Sequence, residues 1–256
     1  MGKFALRGVA LFYLAAILLA PLGLVVWHTF RYDAHDAWIA LTDHNTLHAF
    51  QMTLIAVGIS VPLNAVFGIA VALAIVRGRF PGKGLLNAFV DLPLALSPVV
   101  VGVALFLLYG RTGWLSGFHV LFSLPAIVLA SIFVSLPFVA REVVPTLREV
   151  GDEQEQAAHT LGASPWQTFW RVTLPSIRWA VVYGVVLTTA RCLGEYGAVA
   201  VVSGNIEGKT QTATLAVQDA YENLDHAGAY AISLALALIA VVVLVVMTAV
   251  RPREGH

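Results

Sequence analysis

The sequence predicts an all-α integral membrane protein with about six transmembrane helices. Three observations carry this. The 256 residues are 59% hydrophobic and only 12% charged, with a mean hydropathy of +0.81. Two runs, 8–30 and 227–250, hold no Asp, Glu, Lys or Arg for 23 and 24 residues, and about 20 apolar residues cross a bilayer core as helix. The apolar runs are continuous rather than alternating, which excludes the ~10-residue strands of a membrane barrel.

The elements follow in order. Run 8–30 is too long for the apolar core of a signal peptide, and no small-x-small cleavage site follows it, so it reads as an uncleaved helix. Segment 29–52 holds His35, His44, His48, Asp33, Asp36 and Asp43. Their spacing fits no zinc pattern, and the segment reads as a solvated outer loop. The second span is 53–76. The turn at 77–84 is set by Pro81 and Gly82, with Arg77, Arg79 and Lys83 at the cytoplasmic surface.

The third span is 86–109. It contains Ser97 and Pro98. Proline removes a helix hydrogen bond, and the freed carbonyl needs a neighbour or a cavity. Broken helices at mid-membrane mark transport routes or hinges, so Ser97 and Pro98 are candidates for the pathway or its gate. Asp91 reads as a helix-start feature rather than a cation site. Loop 110–120 carries Trp114 as an interfacial anchor. The fourth span is 121–140, the fifth 179–202 and the sixth 227–250.

Alternating sides from a cytoplasmic N-terminus puts Lys3, Arg7, Arg77, Arg79, Lys83, Arg141, Arg148, Arg171, Arg178, Arg251 and Arg253 inside. Only Arg31, Arg111 and Lys209 fall outside. This obeys the positive-inside rule and places both termini in the cytoplasm. Arg191 and Glu195 lie within the fifth span, four residues apart on one helix face. Intramembrane charges are functional candidates by default. Two readings stay open: a structural pair that neutralises itself, or a pair lining the pathway.

The longest charged loop is 141–178. Asp152 and Glu155 have the spacing of a capping box. Gly162 would end the helix that follows, and Pro165 would stop its continuation. Glu155, Gln156, Ala157, Ala158, Leu161, Gly162 and Ala163 then form a segment with small apolar side chains. Membrane-surface helices favour basic faces with bulky anchors. An acidic start followed by alanines fits docking to a cytoplasmic protein instead.

Segment 203–228, outside, contains a glycine-rich stretch from Gly204 to Thr212. Three residues separate its glycines where a phosphate loop needs four. No nucleophile triad, His-Glu-x-x-His pattern or dinucleotide motif is present, and no basic, aromatic-interleaved nucleic-acid patch. No catalytic set is visible, so the chain does not read as an enzyme, and it reads as having no metal site and no cofactor of its own. Cys192 is the single cysteine, so an internal disulfide is excluded and an inert thiol is expected.

The loop segment resembles the Glu-Ala-Ala signature of permease subunits of binding-protein-dependent ABC importers. That pattern is Glu-Ala-Ala, three residues, Gly, nine residues, then Ile-x-Leu-Pro. Here it runs Gln156-Ala157-Ala158, Gly162, then Val172-Thr173-Leu174-Pro175. The spacing matches throughout, and Gln156 with Glu155 before it departs at the first position. The stretches 80–84, 91–102 and 190–198 are similar to the sulfate, molybdate and tungstate permease group, and 167–178 and 201–204 to the W-type sulfate permease subunits within it.

The resemblance implies a type I ABC importer permease fold over 1–256 as a single transmembrane domain, with the coupling loop at about 141–178. It implies import of sulfate or thiosulfate, with molybdate or tungstate as the alternative cargo. The partners implied are a homologous T-type permease, two cytoplasmic ATPase subunits holding ATP and Mg, an external sulfate-binding protein and the bacterial inner-membrane bilayer. A self-sufficient secondary transporter is the remaining rival. It would need an internal repeat or several buried acids, and neither is evident.

Overall fold

The computed structural model describes residues 3–31 and 34–250. They form helices α1 (Lys3–Arg31), α2 (Ala34–Thr42), α3 (His44–Val76), α4 (Lys83–Ala95), α5 (Pro98–Tyr109), α6 (Leu124–Val150), α7 (Glu153–Thr160), α8 (Pro165–Thr168), α9 (Leu174–Leu193), α10 (Gly197–Val202), α11 (Ala213–Glu222) and α12 (His226–Val250). Five helical stretches are long and apolar enough to cross a membrane. The α4–α5 pair, bent by 109°, makes a sixth if it is one span.

Contacts put the two ends of the pair at opposite ends of the bundle, as a single span requires. At one end, Arg77 at the close of α3 pairs with Glu155 of α7, and α4 starts six residues later at Lys83. At the other, Phe122, beyond α5, donates its N–H to Val202 O at 2.9 Å, and Asn45 reaches Glu207 at 3.3 Å. Connections 77–82 and 151–164 therefore share one end. Those around 43, 110–123 and 203–212 share the other, as a six-span topology requires.

The core is α6, held between α3 and α9. The buried positions of α3 include Ala49, Thr53, Ala56, Ser60, Asn64, Gly68 and Ala72, which recur every three or four residues along one stripe. Lipid supplies no hydrophobic drive between helices, so small residues that allow close approach hold them together. A Cβ placed on Gly68 would lie 2.6 Å from Val139 Cβ, and one on Gly184 2.8 Å from Val139 Cα. Val139 is thus gripped from both sides. Asn64 Nδ2 adds cross-helix hydrogen bonds to Ser135 Oγ at 2.7 Å and Ile132 O at 3.3 Å.

Gly68→Ala is expected to destabilise the detergent-solubilised protein by about 1–3 kcal/mol, the usual cost of overpacking a tight contact. The unfolding midpoint in a denaturant titration checks this. An unchanged midpoint would mean that α3 and α6 separate at no cost.

Several sequence expectations are corrected. Segment 29–52 is mostly helix: α1 extends to Arg31, α2 follows, and α3 begins at His44 with Asp43 Oδ2 accepting from Asn45 N–H at 2.9 Å. Among the described residues no cluster of three His, Cys, Asp or Glu is placed to hold a metal. Span four runs on to Val150, so much of the supposed loop 141–178 is helix, and α11 occupies part of 203–228. Spans three and five are not continuous, since breaks fall at 96–97 and 194–196. Asp91 is well inside α4 rather than at its start, and it accepts from Arg141 Nε of α6 at 2.6 Å. Arg251 and Arg253 lie outside the described residues.

Candidate functional site

The first candidate site is the turn after α7. No residue of α7 is buried. It ends at Leu161, and Gly162 takes φ +85°. Gly162 N–H donates to His159 O and Ala163 N–H to Ala158 O, both at 3.0 Å. These are the paired bonds of a Schellman motif, whose left-handed residue is most cheaply glycine. The turn thrusts Leu161 into solvent at 88% exposure. Gln156 and Ala157 are also exposed, with Ala158 and Ala163 half-buried.

The chain then starts a new helix at once. Ser164 Oγ accepts from Gln167 N–H, and Gln167 Oε1 accepts from Ser164 N–H at 2.9 Å. This is the capping box of the region. Asp152, expected in that role, makes no side-chain cap bond, and the Glu155 side chain that would complete the box is engaged elsewhere. Its Oε2 accepts from Arg77 Nε at 2.9 Å, and its Oε1 from Thr173 Oγ1 at 2.8 Å. Arg77 also donates to Gly151 O. Glu155 therefore faces the bundle, while Gln156, Ala157, Leu161 and Gly162 face outward.

Phe169–Thr173 widens into a single π-helical turn, with Leu174 N–H reaching Phe169 O. Pro175 follows it and has no N–H to give the preceding turn. The Leu-Pro end of the motif is thus a built-in helix irregularity. Trp166, Phe169 and Trp170 pack ring against ring around it at 5.4–6.1 Å.

The second candidate site is the meeting of two helix breaks. α4 stops at Ala95 and α5 restarts at Pro98. α9 stops at Leu193 and α10 restarts at Gly197. The breaks touch. A Cβ on Gly197 would sit 3.1 Å from Pro98 Cβ, and one on Gly102 2.7 Å from Ala198 O. Ser97 is exposed. Pro98 occupies the first turn of α5, where no helix bond is lost, so the carbonyl expected to be freed by it is not. The break itself supplies the irregularity.

Glu195 closes this junction. Its Oε1 accepts Ala198 N–H at 2.9 Å, ahead of α10, and Thr214 Oγ1 donates to its backbone carbonyl at 2.9 Å. Arg191 Nη1 lies 2.7 Å from Oε2. The Glu195 side chain is 2% exposed and that of Arg191 31%. The four residues read as pathway candidates thus gather in one place. Sequence reasoning missed Arg77, Thr173 and Gly197, all identified only by contacts between distant segments. Cys192 is buried beside Ser135 Oγ at 3.2 Å.

A bundle of broken membrane helices with an exposed, rigidly capped helix–turn at one end is the architecture of a transport subunit driven by a partner outside the bilayer. The chain belongs to the family of binding-protein-dependent transport system inner membrane components, whose model matches residues 64–256. It is a permease subunit and not an enzyme. It is 48% identical to the sulfate transport system permease protein CysW of Synechocystis, over 99% of this chain and 94% of that protein. It is 41% identical to Escherichia coli CysW, over 98% and 89%. It is 36% identical to Escherichia coli CysT, over 97% and 92%. Its fold is that of a bacterial ABC transporter that imports alginate, with a TM-score of 0.72 over 96% of this chain and 92% of that one at 19% identity.

Proposed function

We propose that this chain forms half of the sulfate pathway of an ATP-driven importer and couples it to cytoplasmic ATPase subunits. The observation that carries the coupling half is the Gly162 turn, which projects Leu161 from a helix with no buried residue. The cargo is supported by relatives at 48% and 41% identity, both named as sulfate permeases. The kinship with a CysT protein supports a T-type sibling as the second permease. The family's dependence on a binding protein supports an external protein that delivers the anion.

The termini are cytoplasmic in this reading, which the distribution of Lys and Arg supports. ATP and Mg belong to the ATPase subunits. Closure of the two ATPases draws the paired α7 segments together and opens the permeases outward. Hydrolysis returns them inward. The abutting breaks at Pro98 and Gly197 form the gate. A route for a dianion needs hydroxyls, amides and helix ends that hold it weakly, and Arg191 is balanced by Glu195 rather than left as a trap.

Labelled sulfate uptake tests this in vesicles holding this chain, a T-type sibling, the ATPase and the binding protein. Uptake is expected only with ATP and is little affected by excess unlabelled molybdate. Direct ATP-driven uptake of molybdate or tungstate in place of sulfate would reassign the cargo. Uptake without ATPase subunits would mark a secondary transporter.

A further inference from the structure

The segment that carries coupling is barely packed against the bundle, yet one carboxylate ties it to two places. Through Glu155, α7 is joined to Arg77 at the end of α3 and to Thr173 ahead of α9. Arg77 also holds Gly151 O, in the turn that connects α6 to α7. We propose that Arg77 is the positioning residue through which movement of α7 is passed to the membrane helices. This rests on the coupling role proposed above, and goes beyond it by naming the transmitting contact.

The register of the helix explains why the contact exists. One residue turns an α-helix by about 100°. Gln156, at the motif's acidic position, is exposed. Glu155, one place earlier, points inward, with its side chain 17% exposed and that of Arg77 23%. The acid of this segment therefore meets the chain's own helices, while the position that the motif gives to Glu carries the exposed Gln156. An arginine fork across a carboxylate fixes direction as well as distance. Apolar packing cannot substitute for it, because α7 buries nothing. α3 and α9 both press on Val139 of α6 through Gly68 and Gly184. A pull on Arg77 or Thr173 therefore reaches the tightest part of the core.

The test uses the complete complex in proteoliposomes, and reads two quantities: ATPase subunits retained per permease, and sulfate taken up per ATP hydrolysed. Arg77→Ala is expected to retain the ATPase subunits while uptake per ATP falls about fivefold or more, within the range for broken transmission contacts. Arg77→Lys keeps the charge without the fork and should fall between. Exchanging the charges, Arg77→Glu with Glu155→Arg, should recover part of the loss, which a merely misfolded protein would not do. Unchanged uptake per ATP in Arg77→Ala overturns the proposal. So does loss of the ATPase subunits in step with uptake, since Arg77 would then only shape the docking surface, and so does an exchange that recovers nothing. Leu161→Glu separates the two readings. It should release the ATPase subunits, and their retention would overturn the docking role of α7 whatever Arg77 does.

Discussion

Arg191→Ala is expected to lower the stability of the permease by about 3–5 kcal/mol, because it strands a buried carboxylate. Glu195 is the costly member of the pair: its side chain is 2% exposed, against 31% for Arg191. Removing the arginine leaves that charge with one backbone partner, Ala198 N–H. The reverse change is milder. Glu195→Gln keeps an acceptor for Ala198, and the Arg191 head can still reach a polar surrounding. The double variant Arg191→Ala with Glu195→Gln should therefore be more stable than Arg191→Ala alone, a coupling that only contacting residues show. Denaturant midpoints of the four proteins form the cycle. If Arg191→Ala costs no more than Glu195→Gln, the buried carboxylate is being satisfied by something else. Sulfate uptake by the stable double variant then addresses the gate. It should stay low, since without the ion pair Arg191 no longer ties α9 to the junction at Glu195, and full uptake would assign the pair to the fold alone.

What the sequence made legible follows from the range over which each signal acts. The charge-free runs and the glycine at 162 are local signals, and the structure repeats them: α1, α12 and the φ +85° turn stand where expected. The Ser97-Pro98 break is local too, since a residue before proline is steered out of helix. Its twin at 194–196 lies in an equally plain setting, with Gly194 and Gly197 flanking it, but the continuous apolar run masked it. Asp152–Glu155 and Ser164–Gln167 both have capping-box spacing. Only the second forms: Asp152 makes no cap bond, and Arg77, 78 positions from Glu155, competes for the Glu155 carboxylate. No local pattern contains that competitor. The same holds for the meeting of Pro98 with Gly197 and for the grip of Gly68 and Gly184 on Val139. Those contacts depend on which helices are neighbours, and hydropathy does not encode that.

Gly162→Val should abolish most transport while leaving membrane insertion and pairing with the second permease intact. The argument rests on what surrounds the residue. A Cβ at Gly162 meets nothing within 4 Å, so no clash is introduced. The cost is the φ of +85° alone, about 1–2 kcal/mol for an L-residue, and a β-branched side chain is a true outlier there. That penalty lowers the population of the native turn by a factor of roughly 5–30. The alternatives lose the bonds from Gly162 to His159 and from Ala163 to Ala158, and they re-aim Leu161. ATPase subunits should then dissociate during purification, and uptake should fall in proportion. Asn tolerates the left-handed region better than Ala or Val, so Gly162→Asn should retain the most activity, then Ala, then Val. Measuring retained ATPase and uptake across the three variants checks the order. Equal activity in all three would show that the direction in which Leu161 is presented does not govern coupling, even though the turn is present. A loss of membrane insertion in the Val variant alone would point to a folding role for the turn, which its exposed position and empty surroundings argue against.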